Sequence, residues 1–118
     1  FLQIWLLPSR KGFPPSYAQK SFTSAPANAL TLACSPDGSN QSISINQNVK
    51  LYVGKLAAKG KISHALDDQR HGWVQLIEGD LGLNGNKLSP GDGAALDCEA
   101  AIRFQSEKGA HFLYFDLN

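Results

Sequence analysis

The sequence predicts an all-β domain, built as an antiparallel sandwich or barrel with no long helix. It contains a succession of short apolar or alternating runs, each three to eight residues long. Each run ends at a turn signal, of which Asn84-Gly85 is the sharpest, because both central residues of a type I′ turn need a positive φ. No window shows the i, i+3, i+4, i+7 apolar spacing of an amphipathic helix.

Residues 1–29 are predicted to be an N-terminal strand followed by an irregular wrapping segment. Phe1–Leu7 is the hydrophobic run, and the prolines and glycine from Pro8 onward allow at most one helical turn, near Ser16–Phe22. Residues 30–118 then form the barrel. The predicted strands are Leu30–Cys34, Ser42–Ile45, Val49–Leu56, Lys61–Leu66, Trp73–Glu78, Leu81–Leu83, Gly93–Leu96, Ala100–Phe104 and Phe112–Leu117.

The composition fits one folded domain. The chain has 118 residues, of which 42% are hydrophobic and 18% charged, which argues against intrinsic disorder. A formal net charge of +1 gives no basic excess for nucleic-acid binding. No apolar run approaches the ~20 residues that span a bilayer, and Phe1–Leu7 lacks the basic leader and cleavage site of a secretory signal.

The chain is expected to be a piece of a longer protein. It contains no methionine, and its apolar first residues resemble a strand cut in mid-element. Because exposed strand edges recruit another copy, we expect a homodimer through Phe1–Leu7.

Cys34 and Cys98 lie far apart without a CxxC motif, which predicts two buried, reduced thiols. Together with the missing signal and membrane span, this predicts a cytoplasmic bacterial protein.

A series of short motifs gives the chain a family resemblance. From Trp73 to Gly93, a strand ending in glycine is followed by a tight hairpin, a leucine and a Gly-Asp pair, as in the middle of a cupin barrel. The ordered set resembles the C-terminal half of a pirin-type bicupin, the family that includes bacterial quercetin 2,3-dioxygenase-like proteins. The other motifs are Gln3-Ile4-Trp5, Pro15-x-Tyr17-x-Gln19-Lys20-x-Phe22, Ser35-Pro36-Asp37-Gly38, Leu51-Tyr52, Arg70-x-x-Trp73-Val74-Gln75 and Phe115-Asp116-Leu117.

This resemblance implies a cupin (jelly-roll) barrel and a parent chain of about twice this length, made of two stacked barrels. In that family a single non-haem metal, usually iron, sits in the N-terminal barrel on three His and one Glu. The C-terminal barrel normally has no metal. The implied partner of this domain is therefore an N-terminal metal-binding cupin domain, and no cofactor is expected here.

The residues at the positions of the cupin motifs support the same expectation. Counted back from Gly79, the metal-binding Glu position falls on Gly72, and the His pair falls around Leu66 and Asp68. The residues after the Gly-Asp turn, 94–99, contain no His. A mononuclear iron site needs about three convergent nitrogen or oxygen ligands. We therefore predict no metal-binding, cofactor-binding or catalytic residue in this chain.

The three histidines allow two interpretations. His64 and His111 are expected to be surface or hydrogen-bonded strand residues and His71 a loop residue; the alternative is an improvised site with Asp67-Asp68. Ser63 next to His64 supplies residue types of a catalytic triad, but no nucleophile elbow accompanies them. Triads are also recognised by geometry rather than by closeness in sequence.

The remaining motifs have structural explanations. Asp92 is expected to cap its own turn, and Gly91-x-Gly93 lacks the following helix that a phosphate site needs. Only Arg103-Phe104 places a cation beside an aromatic residue within a strand, so a nucleic-acid stacking surface is not expected. The aromatic residues predicted to lie in the core are Trp5, Tyr52, Trp73, Phe104, Phe112, Tyr114 and Phe115.

The sequence thus predicts a metal-free, non-catalytic structural domain that packs on a metal-binding partner domain. The parent protein is expected to be a quercetin 2,3-dioxygenase-like oxidoreductase or a regulator that acts by protein contact. One alternative is a protein-interaction module. Another is a barrel for a small apolar ligand, with room left by Gly72, Gly82, Ala94 and Ala95.

Overall fold

The computed structural model describes all 118 residues and contains ten β-strands in two sheets. The strands are β1 (Ala29–Ser35), β2 (Ile43–Ser44), β3 (Val49–Leu56), β4 (Lys61–Ala65), β5 (His71–Gly79), β6 (Leu81–Leu83), β7 (Asn86–Leu88), β8 (Gly93–Leu96), β9 (Ala101–Gln105) and β10 (Ala110–Leu117). The one helical element is a 3₁₀ turn at Ser39–Gln41, so the all-β prediction is confirmed. No helix is long and apolar enough to cross a membrane.

The larger sheet has the order β2-β1-β3-β10-β5-β8 and the smaller sheet the order β4-β9-β6-β7. Every neighbouring pair is antiparallel except the short β1–β2 pair, which is parallel. Tyr114 of β10 lies opposite Tyr52 of β3 and Val74 of β5. Because side chains alternate between the two faces of a strand, these residues share the inner face of the larger sheet.

The core lies between the two sheets and consists of inward side chains from both. Phe104 of the smaller sheet stacks on Phe112 of the larger sheet, with ring centroids 4.8 Å apart. A Cβ atom at Gly54 would lie 2.3 Å from Phe112 Cζ, so this position of β3 accepts only glycine. The buried core residues are Leu56, Leu66, Val74, Leu76, Leu81, Leu83, Leu96, Ile102, Phe104, Ala110, Phe112 and Tyr114.

The Asn84-Gly85 turn forms the predicted hairpin, between β6 and β7. Asn84 has φ 46° and Gly85 φ 87°, the pair of positive values that a type I′ turn requires. The Asn84 side chain also fastens the hairpin to β9, since its Oδ1 accepts from the Arg103 N–H at 2.8 Å. The strand β7 was not predicted, because Asn86-Lys87-Leu88 contains one apolar residue and no alternating pattern.

Residues 1–28 contain no strand and no helical turn. Phe1–Leu7, which the sequence predicts as a strand, is not one here, because no neighbouring backbone pairs with it. It lies on the outer face of the larger sheet. The following wrapping segment is held by Lys55 Nζ, which donates to the carbonyls of Phe22 at 3.1 Å and Thr23 at 2.9 Å.

Of the seven aromatic residues predicted in the core, Phe104, Phe112 and Tyr114 lie there and Tyr52 packs against them. Phe115 is buried on the outer side of the larger sheet instead. Trp5 and Trp73 are not buried, with 82% and 40% of their surface exposed. Both lie on the outer side of the larger sheet, where this chain supplies little to cover them.

Cys34 and Cys98 are free thiols, but only Cys34 is partly buried. The burial of Cys98 was wrongly predicted, since it lies in an exposed turn with φ 58°.

Candidate functional site

The position that the cupin motif assigns to the metal-binding carboxylate holds a tightly packed glycine. Gly72 is buried in β5, opposite Asp116 of β10 and Leu96 of β8. A Cβ atom on Gly72 would lie 3.0 Å from Leu96 Cβ and 3.3 Å from Cε2 of Tyr114. These two side chains therefore fill the space that a longer side chain at position 72 would need.

The other motif positions are equally unsuited to ligation. Leu66 is a buried core residue and Asp68 is exposed in the turn before β5. After β8, Asp97 and Glu99 are exposed. The structure contains no group of three or more His, Cys, Asp or Glu side chains that could hold a metal ion. The residues present do not fit the three-His, one-Glu set that the resemblance implies for the other barrel.

The interior contains instead an aromatic cluster that bridges the two sheets. Tyr52 and Tyr114 stack with ring centroids 5.6 Å apart. His64 of β4 meets both rings edge-on, at 5.4 Å from Tyr52 and 5.3 Å from Tyr114. The Tyr114 hydroxyl is buried and has no hydrogen-bond partner, and burial raises the pKa of that phenol, with Asp116 adding to the effect.

His64 is an interior residue whose place was wrongly predicted. It was expected at the surface or in a hydrogen bond, but it is half-buried and its ring nitrogens make no hydrogen bond within the chain. The sequence shows this in the alternation of Ile62, His64 and Leu66, which places Ile62 and His64 on one face of β4 and Leu66, just after the strand, on the same side. An imidazole in phase with apolar neighbours indicates a core position.

The environment of His64 predicts that the protein becomes less stable in mild acid. Burial lowers the pKa of His64 from its ordinary 6.5, while the nearby Asp116 partly opposes this effect and Lys50 adds to it. The unfolded chain therefore binds a proton at a higher pH than the folded chain. We expect the free energy of unfolding to fall as the pH drops below about 6.5, until the folded-state pKa is passed.

Urea unfolding measured between pH 5 and pH 8 tests this expectation. In a His64→Leu variant the part of the pH dependence that lies between pH 5 and 6.5 is expected to disappear. A Ser63→Leu variant, which makes the same replacement at the neighbouring exposed position of β4 without removing an ionisable group, serves as the control and keeps the wild-type profile. A wild-type profile that is retained in His64→Leu would contradict the assignment.

A buried ion pair lies next to the aromatic cluster. The Arg70 guanidinium contacts the Asp116 carboxylate through Nε and the Asp116 carbonyl through Nη2 at 2.9 Å. Its other donors reach Asn48, at 3.1 Å from both the side-chain oxygen and the carbonyl. The side chains of Arg70 and Asp116 are only 18% and 9% exposed. This arrangement fastens the turn before β5 to the ends of β3 and β10.

The remaining histidines do not converge on a site. His71 is the first residue of β5 rather than a loop residue, and its Nδ1 lies 2.5 Å from Asp97 Oδ1, with both side chains exposed. Such an exposed pair contributes little to stability. His111 lies on β10 in register with Lys55 and Glu78.

The triad residue types are likewise not brought together. Ser63 is exposed on β4, whereas His64 next to it is directed into the interior. Asp67 Oδ1 accepts from the Gln69 N–H at 3.0 Å, a contact that lowers the pKa of Asp67. This carboxylate therefore caps a turn rather than orienting an imidazole.

Other carboxylates also stabilise turns. Asp92 Oδ2 accepts from the Ser89 N–H at 2.8 Å, which confirms the predicted cap. Asp80 accepts from the backbone N–H groups of Glu107 at 3.0 Å and Lys108 at 2.9 Å, and these bonds lower its pKa. These hydrogen bonds leave both side chains with structural roles.

The most apolar concave surface lies outside the barrel, between Phe1–Leu7 and the outer face of the larger sheet. We call it the outer groove. Two polar side chains, Gln3 and Gln75, contribute to it, and apolar side chains form the rest of its lining. The lining residues are Leu2, Gln3, Ile4, Leu6, Trp73, Gln75, Leu113, Phe115 and Leu117.

Sequence comparison finds relatives along the entire chain. The family described as "Quercetinase C-terminal cupin domain" matches residues 32–117. The chain is 33% identical over 115 residues to quercetin 2,3-dioxygenase of Escherichia coli K12, covering 98% of this chain and 49% of that protein. It is 27% identical to a pirin-like protein of Caulobacter vibrioides, covering 97% of this chain and 50% of the relative. The chain thus spans about half the length of these relatives.

Solved structures agree with this assignment. The crystal structure of YhhW from Escherichia coli is 31% identical, with a TM-score of 0.89 over 97% of this chain and 48% of that one. The bacterial pirin YhhW in complex with nickel(II) gives a TM-score of 0.86 over 93% of this chain and 47% of that one. The chain therefore belongs to the quercetinase C-terminal cupin family, as the C-terminal cupin domain of a pirin-like bicupin.

Proposed function

We propose that this domain is a metal-free, non-catalytic barrel that serves as the structural partner of an N-terminal metal-binding cupin in the same polypeptide. The observation that carries the proposal is the packing around Gly72. The motif position of the metal-binding carboxylate has no side chain, and Leu96 and Tyr114 fill the space around it. A barrel filled in this way contributes packing surface and stability rather than a reaction centre.

The length of the relatives supports the partner relationship. They are about twice as long as this chain, and two are named quercetin 2,3-dioxygenase. By the family resemblance, the parent protein would be an oxidoreductase of that type, with its metal in the N-terminal half. A cytoplasmic location is supported by two free cysteines, since reducing compartments keep thiols unpaired.

The alternative of a small apolar ligand inside the barrel finds less support. It depends on room left by Gly72, Gly82 and the neighbouring alanines, but Gly72 is crowded. Gly82 lies between the buried Leu81 and Leu83 and pairs with the exposed Gln105, so it is on the outer face of the smaller sheet and leaves no room inside. The stacked rings of Phe104 and Phe112 fill the centre of the interior. We therefore propose no ligand function for the interior.

Metal analysis tests the proposal directly. The 118-residue protein, incubated with iron(II) or nickel(II) and then desalted, is expected to retain far less than one equivalent of either metal. A His64→Ala variant should retain the same background amount, because His64 is not a ligand. One equivalent of metal bound by the wild-type protein and lost in His64→Ala would overturn the proposal.

A Gly72→Glu variant is expected to be destabilised by about 3 kcal/mol or more, because it both overpacks the interior and buries a carboxylate near Asp116. Ala65→Glu is the matched control, since Ala65 is exposed at the end of β4 and its replacement should cost less than about 0.5 kcal/mol. Urea unfolding measures both. An undiminished stability of Gly72→Glu, together with metal binding, would show that the carboxylate position is still open.

A further inference from the structure

The turn at Asn84-Gly85 contains the pair of residues that is most prone to spontaneous deamidation. In this reaction the backbone nitrogen of a residue attacks the side-chain amide of the preceding asparagine, and glycine shields that nitrogen least because it has no side chain. Asn84 is half-buried and Gly85 is exposed, so water and hydroxide can reach the turn. No other asparagine of the chain precedes a glycine.

The folded turn holds the two reacting atoms apart. Ring closure needs the Gly85 nitrogen on the same side of the Asn84 Cα–C bond as Cβ, so that the nitrogen can meet Cγ. With φ 46°, Asn84 is the first central residue of a type I′ turn, in which ψ is about 30°. Because of the tetrahedral geometry of Cα, this ψ leaves the Gly85 nitrogen nearly opposite Cβ.

The side-chain amide of Asn84 is also held away from Gly85. Its Oδ1 accepts from the Arg103 N–H at 2.8 Å, and its Nδ2 donates to the Ala101 carbonyl at 3.3 Å and to Glu99 Oε2 at 3.2 Å. All three partners belong to β9 or to the turn just before it. The amide therefore faces the neighbouring strand, and it must leave these bonds before its carbon can be attacked.

The part of the fold that must open is small. The strand β7 lies at the edge of the smaller sheet, has three residues of which two are exposed, and pairs only with β6. Short peripheral elements of this kind detach at a lower free energy than that of global unfolding. Once the β6–β7 hairpin is detached, both restraints on Asn84 are lost together.

We propose that Asn84 is a deamidation site that the folded hairpin keeps closed, that detachment of β6–β7 exposes, and whose modification then keeps the hairpin loosened. In the exposed state the Gly85 nitrogen loses its proton to hydroxide and bonds to Asn84 Cγ. The bond from Cγ to Nδ2 breaks, and Nδ2 takes a proton from water and leaves as ammonia. Water then cleaves the cyclic imide at either carbonyl, which leaves an aspartate or an isoaspartate linkage without any oxidation or reduction.

The product does not restore the original hairpin. A carboxylate at position 84 has no N–H to donate, so it faces two acceptors, the Ala101 carbonyl and the Glu99 carboxylate. The like charges repel each other, and the Ala101 carbonyl loses a donor. An isoaspartate linkage lengthens the main chain of a two-residue turn by one atom, which displaces the register of Leu83 with Asn86.

Deamidation rates measured by peptide mass mapping test the closed state. In the 118-residue protein at neutral pH, Asn84 is expected to react at least about 100-fold more slowly in the native state than in denaturing urea. Leu88→Ala, which weakens the contact of β7 with the core, should speed the native reaction by about 10-fold or more.

Leu30→Ala is the matched control for this variant. Leu30 packs against the same core from β1 of the other sheet, so its replacement should change the native rate by less than about 3-fold. Native and unfolded rates within about 3-fold of each other would overturn the proposal. Equal acceleration by the two variants would place the reaction in the globally unfolded chain and would also overturn it.

A substitution that reproduces the charge of the product tests the loosening. Asn84→Asp is expected to speed the amide hydrogen exchange of residues 81–88 by about 10-fold or more, because it removes the donor to the Ala101 carbonyl. Asn86→Asp, at the exposed first residue of β7, is the control and should leave this exchange within about 3-fold of the wild-type rate. If the two variants exchange equally, the modified hairpin closes again and the proposed loosening is wrong.

Discussion

Replacing Phe112 by alanine is expected to lower the free energy of unfolding by about 3–5 kcal/mol. Phe112 has no exposed surface, stacks on Phe104 across the two sheets and packs against Gly54. Its removal leaves a cavity between sheets that contact each other through these rings. The strands around it cannot close the gap, because β10 is held in register by β3 and β5 on either side.

Urea unfolding followed by circular dichroism measures this loss. Tyr17→Ala, which deletes an aromatic ring at an exposed position, is the control and should change stability by less than about 0.5 kcal/mol. A similar, small change in both variants would mean that the Phe104–Phe112 stack is not the centre of the core.

Arg70→Met is expected to destabilise the protein by a comparable amount, about 3–5 kcal/mol. The substitution leaves the Asp116 carboxylate buried without its partner, and it also removes the two hydrogen bonds to Asn48. The loss comes mainly from the unpaired charge. Replacing both members of the pair, in Arg70→Met/Asp116→Leu, should therefore recover about 2 kcal/mol or more of the lost stability.

A double-mutant cycle that adds the single variant Asp116→Leu separates the pair from its surroundings. Arg103→Met serves as the control, because Arg103 is exposed in β9 and forms no ion pair. If Arg70→Met and Arg103→Met cost the same, the Arg70–Asp116 contact contributes no more than a surface charge.

The fold could be predicted because its determinants are local. Alternation along β4, β5 and β10 and the turn at Asn84-Gly85 each depend on neighbouring residues, so they were visible in the sequence. The strand β7 could not be predicted, since its pairing with β6 follows from the hairpin geometry rather than from its own residue pattern. The parallel β1–β2 contact likewise depends on how the chain returns after the 3₁₀ turn.

The candidate site could be predicted only as far as residue types decide it. The absence of carboxylate and imidazole ligands from the positions of Leu66 and Gly72 is a fact of the sequence. The packing of Tyr114 and Leu96 around Gly72 could not be predicted from the sequence, because it joins three strands that are distant in the chain. The exposure of Trp5 and Trp73 escaped prediction for a related reason, since their aromatic rings suit a core and an interface equally well.

The crowding around Gly72 limits how an enzyme could be engineered from this scaffold. Adding a carboxylate first collides with Leu96 and Tyr114, and trimming those two first leaves a hole in the core. Every single-step path therefore begins with a loss of stability, and only simultaneous changes avoid it. A carboxylate at position 72 would therefore need a matched repacking of Leu96 and Tyr114.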